Sequence, residues 1–312
     1  MSRSKSTYLK AVFLALSALL VCTSLTSLAR AQACCAGAAA VSPGRLMLHE
    51  PALVGGRLRG ALGIGSFDAN RNFHGNPEGS RELDFEQDVF GVVRVLRRGQ
   101  VGVLVPFLES WRDSASTSSE FGAGIGDAQL NARYDFLWAG ENQYIPGTAL
   151  LGAVSLPSGR APENAQHPLG SDATGVGVVR VTLGLALEQT WGPVLGQLSA
   201  FASKQANRHV QGVTSARAIE WSILAAAGYS FANDVGLAAA LSYTFEGSSS
   251  IDGEQVPDTA QESLQASVAV SVPLGRAARV QSALFVSPPI SGAGRNRHAE
   301  TGATLTLVRS IP

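Results

Sequence analysis

The sequence predicts an all-β protein, specifically a transmembrane antiparallel up-and-down β-barrel of about twelve strands. Three observations carry this: a secretory leader, side chains that alternate apolar and polar along most of the chain, and connections that are short and long by turns. With 45% hydrophobic and 15% charged residues, 34 Gly and 14 Pro in 312 residues, the chain is neither a disordered polyelectrolyte nor a collagen-like repeat.

The leader comes first. Arg3, Lys5 and Lys10 precede an apolar run from Ala11 to Val21, and the small-residue sites Ala29-Arg30-Ala31 and Ala31-Gln32-Ala33 follow, the order of a signal peptide and its cleavage site. The run is shorter than the ~20 residues a membrane-spanning helix needs, and no other stretch approaches that length. We expect a signal peptide over 1–31, an N-terminal periplasmic segment over 32–54 and an outer-membrane barrel over 55–312. Loss of the leader removes Arg3, Lys5, Lys10 and Arg30 but no acid, leaving a net charge of −4. That argues against nucleic acid as a partner, which calls for a basic face. Cys34 and Cys35 are adjacent and cannot staple distant segments, so no disulfide framework is expected.

Alternation then defines the strands. From Asp127 to Phe136 the polar set Asp127, Gln129, Asn131, Arg133 and Asp135 interleaves with Ala128, Leu130, Ala132, Tyr134 and Phe136. A strand sends successive side chains to opposite faces, so such a segment has one wet and one apolar face. The same period marks Val179–Glu188, Ile219–Phe231, Leu237–Phe245 and Leu264–Val272. Reading every run predicts strands at 55–67, 83–96, 99–111, 124–137, 145–157, 174–189, 193–204, 216–231, 235–246, 261–274, 277–287 and 301–310. Between them long connections (68–82, 112–123, 158–173, 205–215, 247–260, 288–300) alternate with short ones (97–98, 138–144, 190–192, 232–234, 275–276). Short periplasmic turns, long extracellular loops and an even strand count are the organisation of an outer-membrane barrel. Closure is a physical requirement, because an unpaired backbone group in hydrocarbon costs several kcal/mol.

Aromatic residues are expected to mark the two membrane interfaces. Tyr134, Phe136, Tyr229 and Phe231 fall on apolar-face positions beside short turns, and Tyr243 and Phe245 lie toward the long-loop ends, so these six form the predicted girdles. Small inward residues such as Gly184, Ala186, Gly236, Ala238 and Ala240 are expected to leave space, and about twelve strands imply a narrow pore or a solute-sized cavity. Inward charges include Glu86, Asp88, Arg94 and Asp135. The candidates for solute contact are Asp127, Arg133, Arg180, Glu188 and Glu220, which either set the preference of a pore or pair with one another and brace the interior.

No catalytic machinery stands out. His49 precedes the barrel and His74, His167, His209 and His298 fall in long connections, with no i, i+2 or i, i+4 pairing. The run Gly122-Ala123-Gly124-Ile125-Gly126-Asp127 lacks the Lys and Ser/Thr of a phosphate loop. No cofactor, metal site or enzymatic activity is expected.

Several short motifs resemble a family of outer-membrane transporters named for the meta-pathway of phenol degradation. They are Gly124-Ile125-Gly126-Asp127 leading into Arg133-Tyr134-Asp135-Phe136, and Leu156-Pro157-Ser158-Gly159 ahead of Gly170-Ser171-Asp172 and Gly175-Val176-Gly177, with Gly228-Tyr229-Ser230-Phe231 at a strand end. The resemblance implies a barrel of about twelve strands passing small, often hydrophobic, organic solutes across the outer membrane. It also implies lipid and the barrel-assembly machinery as partners. Such barrels usually end on an aromatic residue, whereas this chain ends Arg309-Ser310-Ile311-Pro312. Passive passage is the expected function, and the alternative is a structural or surface-interaction barrel with a closed lumen and partner-binding loops.

Overall fold

The computed structural model describes residues 44–114, 117–275 and 277–312. The expected signal peptide, Cys34 and Cys35 lie outside the described residues. Twelve antiparallel walls follow one another around a ring: β1 (Ala52–Phe67), β2 (Arg81–Leu96), β3 (Gly99–Ser114), β4 in two segments (Thr117–Ile125 and Gln129–Leu137), β5 (Gly147–Ser155) and β6 (Arg180–Trp191). The ring continues through β7 (Val194–Gln205), β8 (Glu220–Ser230), β9 (Gly236–Glu246), β10 (Gln261–Leu274), β11 (Ala278–Val286) and β12 (His298–Ile311). It closes where β12 returns to β1, in a ladder from Ala52 opposite Ile311 to Ser66 opposite His298. Closure joins the last strand to the first, as a wall immersed in lipid demands.

The alternation read from the sequence becomes the two faces of this wall. On β6, Val181, Leu183, Leu185 and Leu187 are exposed on the outside, while Ala186 and Glu188 are buried inside. On β8, Trp221 and Ile223 face outward and Leu224 faces inward. Trp221 and Tyr229 are eight strand residues apart, a height of roughly 20 Å at about 3.3 Å per residue and ~40° of tilt, close to the apolar band of such barrels. All six predicted girdle residues are exposed on the outer face, between 38% and 53%. Tyr134 stacks edge-on against Phe136, and Tyr229 against Phe231, at ring separations of 5.1 and 5.0 Å.

Two features differ from expectation. The connection expected over 112–123 is instead a hairpin: β3 runs on to Ser114 and pairs with Thr117–Ile125, with Trp111 packed on Phe121 at 4.8 Å. Ser and Thr there read as a loop, but the partner strand satisfies the backbone and the ring pair covers it. The strand expected over 124–137 breaks at 126–128, so the outer segment of β4 pairs with β3 alone, while the inner segment pairs with both β3 and β5. Smaller shifts bring the start of β1 to Ala52, that of β6 to Arg180 and that of β8 to Glu220. The connections 206–219 and 247–260 join as a small four-stranded sheet above the wall.

Candidate functional site

The inner face carries most of the polar chemistry. Near mid-wall, Arg57 on β1 pairs with Asp88 at 2.5 Å and Glu86 at 3.2 Å on β2, and Arg59 reaches Glu300 on β12 at 2.5 Å. On β4 and β6, Arg133 lies 2.7 Å from Asp135 and 3.1 Å from Glu188. Toward the long loops, Arg180 approaches Glu220 at 3.8 Å, and Glu220 also takes Arg297 at 3.2 Å. Of the five sequence-predicted lumen residues, four thus stand in ion pairs within the barrel.

The fifth, Asp127, sits in the break of β4. Its Oδ1 accepts the Gly159 N–H at 3.0 Å and its Oδ2 the Val176 N–H at 2.7 Å, pinning both ends of the connection 156–179 to the wall. Thr174 Oγ1 donates to the Ile125 carbonyl at 2.8 Å, and the Leu169 N–H donates to Glu120 at 3.0 Å. The connection therefore lies along the inner side of the outer β4 segment, the edge that no wall strand pairs. Glycine is required at this seam: a Cβ on Gly122 would stand 2.4 Å from the Ser171 backbone, and one on Gly175 2.3 Å from Asp127 Oδ1. Asp127→Ala should release both ends of the connection and increase its cleavage by an added protease severalfold, with the barrel core intact.

Asp172 organises the same connection from within, accepting the N–H groups of Gln166 and His167 and pairing with Arg160 at 2.5 Å. The Gln166 N–H is the main cause holding its carboxyl well below the usual range. In the connection after β1, the backbone and side-chain N–H groups of Asn72, with His74, lower Asp68 to about 2. A carboxylate depressed on folding stabilises above its unfolded value near 3.8 and loses that contribution as pH falls toward the folded one. Pepsin should therefore cut near Phe73 slowly at pH 4 and faster as pH approaches 2.

Residues 44–51 complete the lumen and were not foreseen as doing so. They fold back inside the short-turn end of the barrel. Leu46 is buried with Leu53, Phe90, Val92, Leu104 and Val308. Its N–H donates to Gln100 Oε1 at 3.0 Å, and Gln100 Nε2 donates to the Gly44 carbonyl. Arg45 extends to Glu188 at 2.6 Å and Asp135 at 3.8 Å, joining the Arg133 group, and Glu50 meets Arg279 at 3.4 Å and the Ser310 hydroxyl. The segment is held only by noncovalent contacts.

Space in the barrel is uneven. A polar vestibule of about 560 Å³ opens among β1, β2, β3 and β12 near the long loops, lined by Glu82, Asp84, Arg112 and Glu300 among others. Deeper, a gap of about 60 Å³ remains beside Asn131, Arg133, Thr182 and Phe201. Small inward residues do not simply leave water-filled space: Gly55, Gly184 and Gly302 accommodate the rings of Phe90, Phe201 and Phe285, which come within 2.3 to 2.5 Å of a notional Cβ. The interior thus mixes ion pairs with aromatic surface.

The sequence matches the family described as "Putative MetA-pathway of phenol degradation" over residues 66–306, most of the barrel. The chain belongs to that family. Among solved structures, the family member is similar to the COG4313 outer membrane channel from Pseudomonas putida F1, with a TM-score of 0.69 and 15% identity over 84% of this chain and 96% of that one. The transport unit of the autotransporter AIDA-I from Escherichia coli matches at a TM-score of 0.46 and 10% identity, over 97% of each chain. The NanC porin matches at 0.45 and 7% identity, over 83% of this chain and 100% of that one. No curated protein matches by sequence. Family and fold together place the protein in the outer membrane as a β-barrel. Residues 44–65, which include the lumen-filling segment, precede the matched span.

Proposed function

We propose that the barrel is a passive route for small organic solutes, many of them hydrophobic, and that the segment 44–51 closes its periplasmic mouth until it is displaced. The observation carrying this reading is the noncovalent seating of that segment. Arg45, Leu46 and Glu50 bind groups that line the wall, so their withdrawal joins the vestibule to the periplasm without breaking a strand. Inward Phe90, Phe201 and Phe285 beside charged pairs offer an organic solute both apolar surface and polar handles. Arg133, Glu188, Arg180 and Glu220 border this path, and Asp127 acts on it through the connection it pins. Tyr134, Phe136, Tyr229, Phe231, Tyr243 and Phe245 seat the wall at the two lipid interfaces. No energy-coupling motif stands among the sequence features, so diffusion down a gradient is the operating mode.

Swelling of proteoliposomes in a series of small aromatic and sugar solutes tests the reading. Entry of the small aromatic solutes, well above protein-free liposomes, is expected; no entry of any solute from either the full chain or a chain without its N-terminal segment would overturn it. A second reading, a closed barrel that presents its loops to a partner, draws on the small sheet built by 206–219 and 247–260. Deleting that sheet would then abolish partner binding and leave swelling unchanged.

A further inference from the structure

The outer wall is not uniformly convex. On the lipid-facing side of β1 to β6 an apolar groove of about 740 Å³ crosses the strands, lined by aliphatic side chains and small residues. Its course follows the strand register. One row of outward positions runs Arg309, Val54, Gly91, Val103, Leu130, Val154, each directly opposite the next. The adjoining row places Ala132 opposite Gly152. With side chains this short the wall is recessed, whereas across β8 and β9 the outer face carries Trp221, Tyr229, Tyr243 and Phe245.

The two ends of the row differ. Arg309 lies three residues from the chain end, at the short-turn side of β12, its side chain exposed and without a hydrogen bond or ion pair among the described residues. At the other end Val181 stands opposite Lys204, whose ammonium is already taken by the Arg217 carbonyl at 2.5 Å. A cation at the periplasmic interface, facing lipid and heading an apolar trough, complements a molecule with one anionic head and a long hydrocarbon tail. We propose that this groove is a binding site for an anionic phospholipid of the periplasmic leaflet, its phosphate on Arg309 and an acyl chain along the recessed row. The site lies outside the lumen and does not depend on the transport reading.

The test uses the folded full chain in a zwitterionic detergent, titrated with phosphatidylglycerol or phosphatidylcholine of the same acyl chains and read by native mass spectrometry. One well-placed basic side chain at a membrane surface predicts roughly fivefold tighter retention of phosphatidylglycerol. In Arg309→Gln the two lipids should be retained equally. Gly152→Leu, whose added Cβ meets only Leu183 at 3.9 Å, should fill the trough and weaken both. Both variants should keep the β-sheet circular dichroism and the heat-dependent gel mobility of the unsubstituted protein, which shows that they are folded. A phosphatidylglycerol preference that survives Arg309→Gln, lipid retention untouched by Gly152→Leu, or a dimer seated on this face in place of lipid would each overturn the proposal.

Discussion

A chain lacking residues 33–50 should conduct ions severalfold better than the full chain in planar bilayers, with fewer closed intervals. The reason is steric and electrostatic at once. Leu46 occupies the centre of the apolar cluster at the periplasmic mouth, and Arg45 occupies the acidic group formed by Asp135 and Glu188. Deletion vacates the mouth and leaves Glu188, 2% exposed, with Arg133 at 3.1 Å as its cation, whereas Arg279 gives up its two contacts to the segment, Glu50 and the Arg45 carbonyl. Arg45→Ala with Leu46→Ala should give an intermediate conductance, because Glu50 still holds Arg279. Equal conductance of the full and shortened chains would show that the segment is no barrier.

Arg57→Leu should destabilise the barrel by about 3 to 5 kcal/mol, the usual cost of stripping one partner from a buried ion pair. Asp88 is fully buried and Arg57 is its paired cation at 2.5 Å, while Glu86 retains only the more distant Arg59 at 3.9 Å. Two carboxylates, one of them fully buried, would then lie side by side on the inner face with little compensation. Unfolding by urea from lipid vesicles should show the loss, and Arg57→Leu combined with Asp88→Leu should recover most of it, since the buried charge goes with its partner. A single substitution as stable as the parent would mean that water screens this pair fully.

The wall was largely legible from side-chain period. Runs such as Val179–Glu188 and Leu237–Phe245 alternate so strictly that strand and face follow from the residues themselves. The break in β4 was not legible, because Asp127 continues the polar phase of Gln129, Asn131 and Arg133. Only the N–H groups of Gly159 and Val176, about 30 and 50 residues onward, turn it from a wall residue into a tether. The hairpin at Ser114 was hidden for the opposite reason, since its Ser and Thr residues suit loop and strand alike. Arg45, Leu46 and Glu50 carry no periodic signal, and their role depends on partners from β2 to β12. Arg57 and Arg59, two apart on one face, were the available hint of the mid-wall ion pairs. The inward glycines were read as open space, and a single sequence cannot tell that a ring on the neighbouring strand fills it.

The separation of lipid from lumen by a single strand's thickness can be measured directly on β8. With Cys34 and Cys35 changed to Ser, single cysteines at Ala225, Ala226 and Ala227 would carry a spin label in the folded protein in vesicles. Ala225 and Ala227 should show strong broadening by oxygen from the bilayer, and Ala226, between them on the other face, should respond instead to a water-soluble nickel chelate. Uniform exposure of all three to the same agent would contradict a wall with hydrocarbon on one side and an aqueous interior on the other.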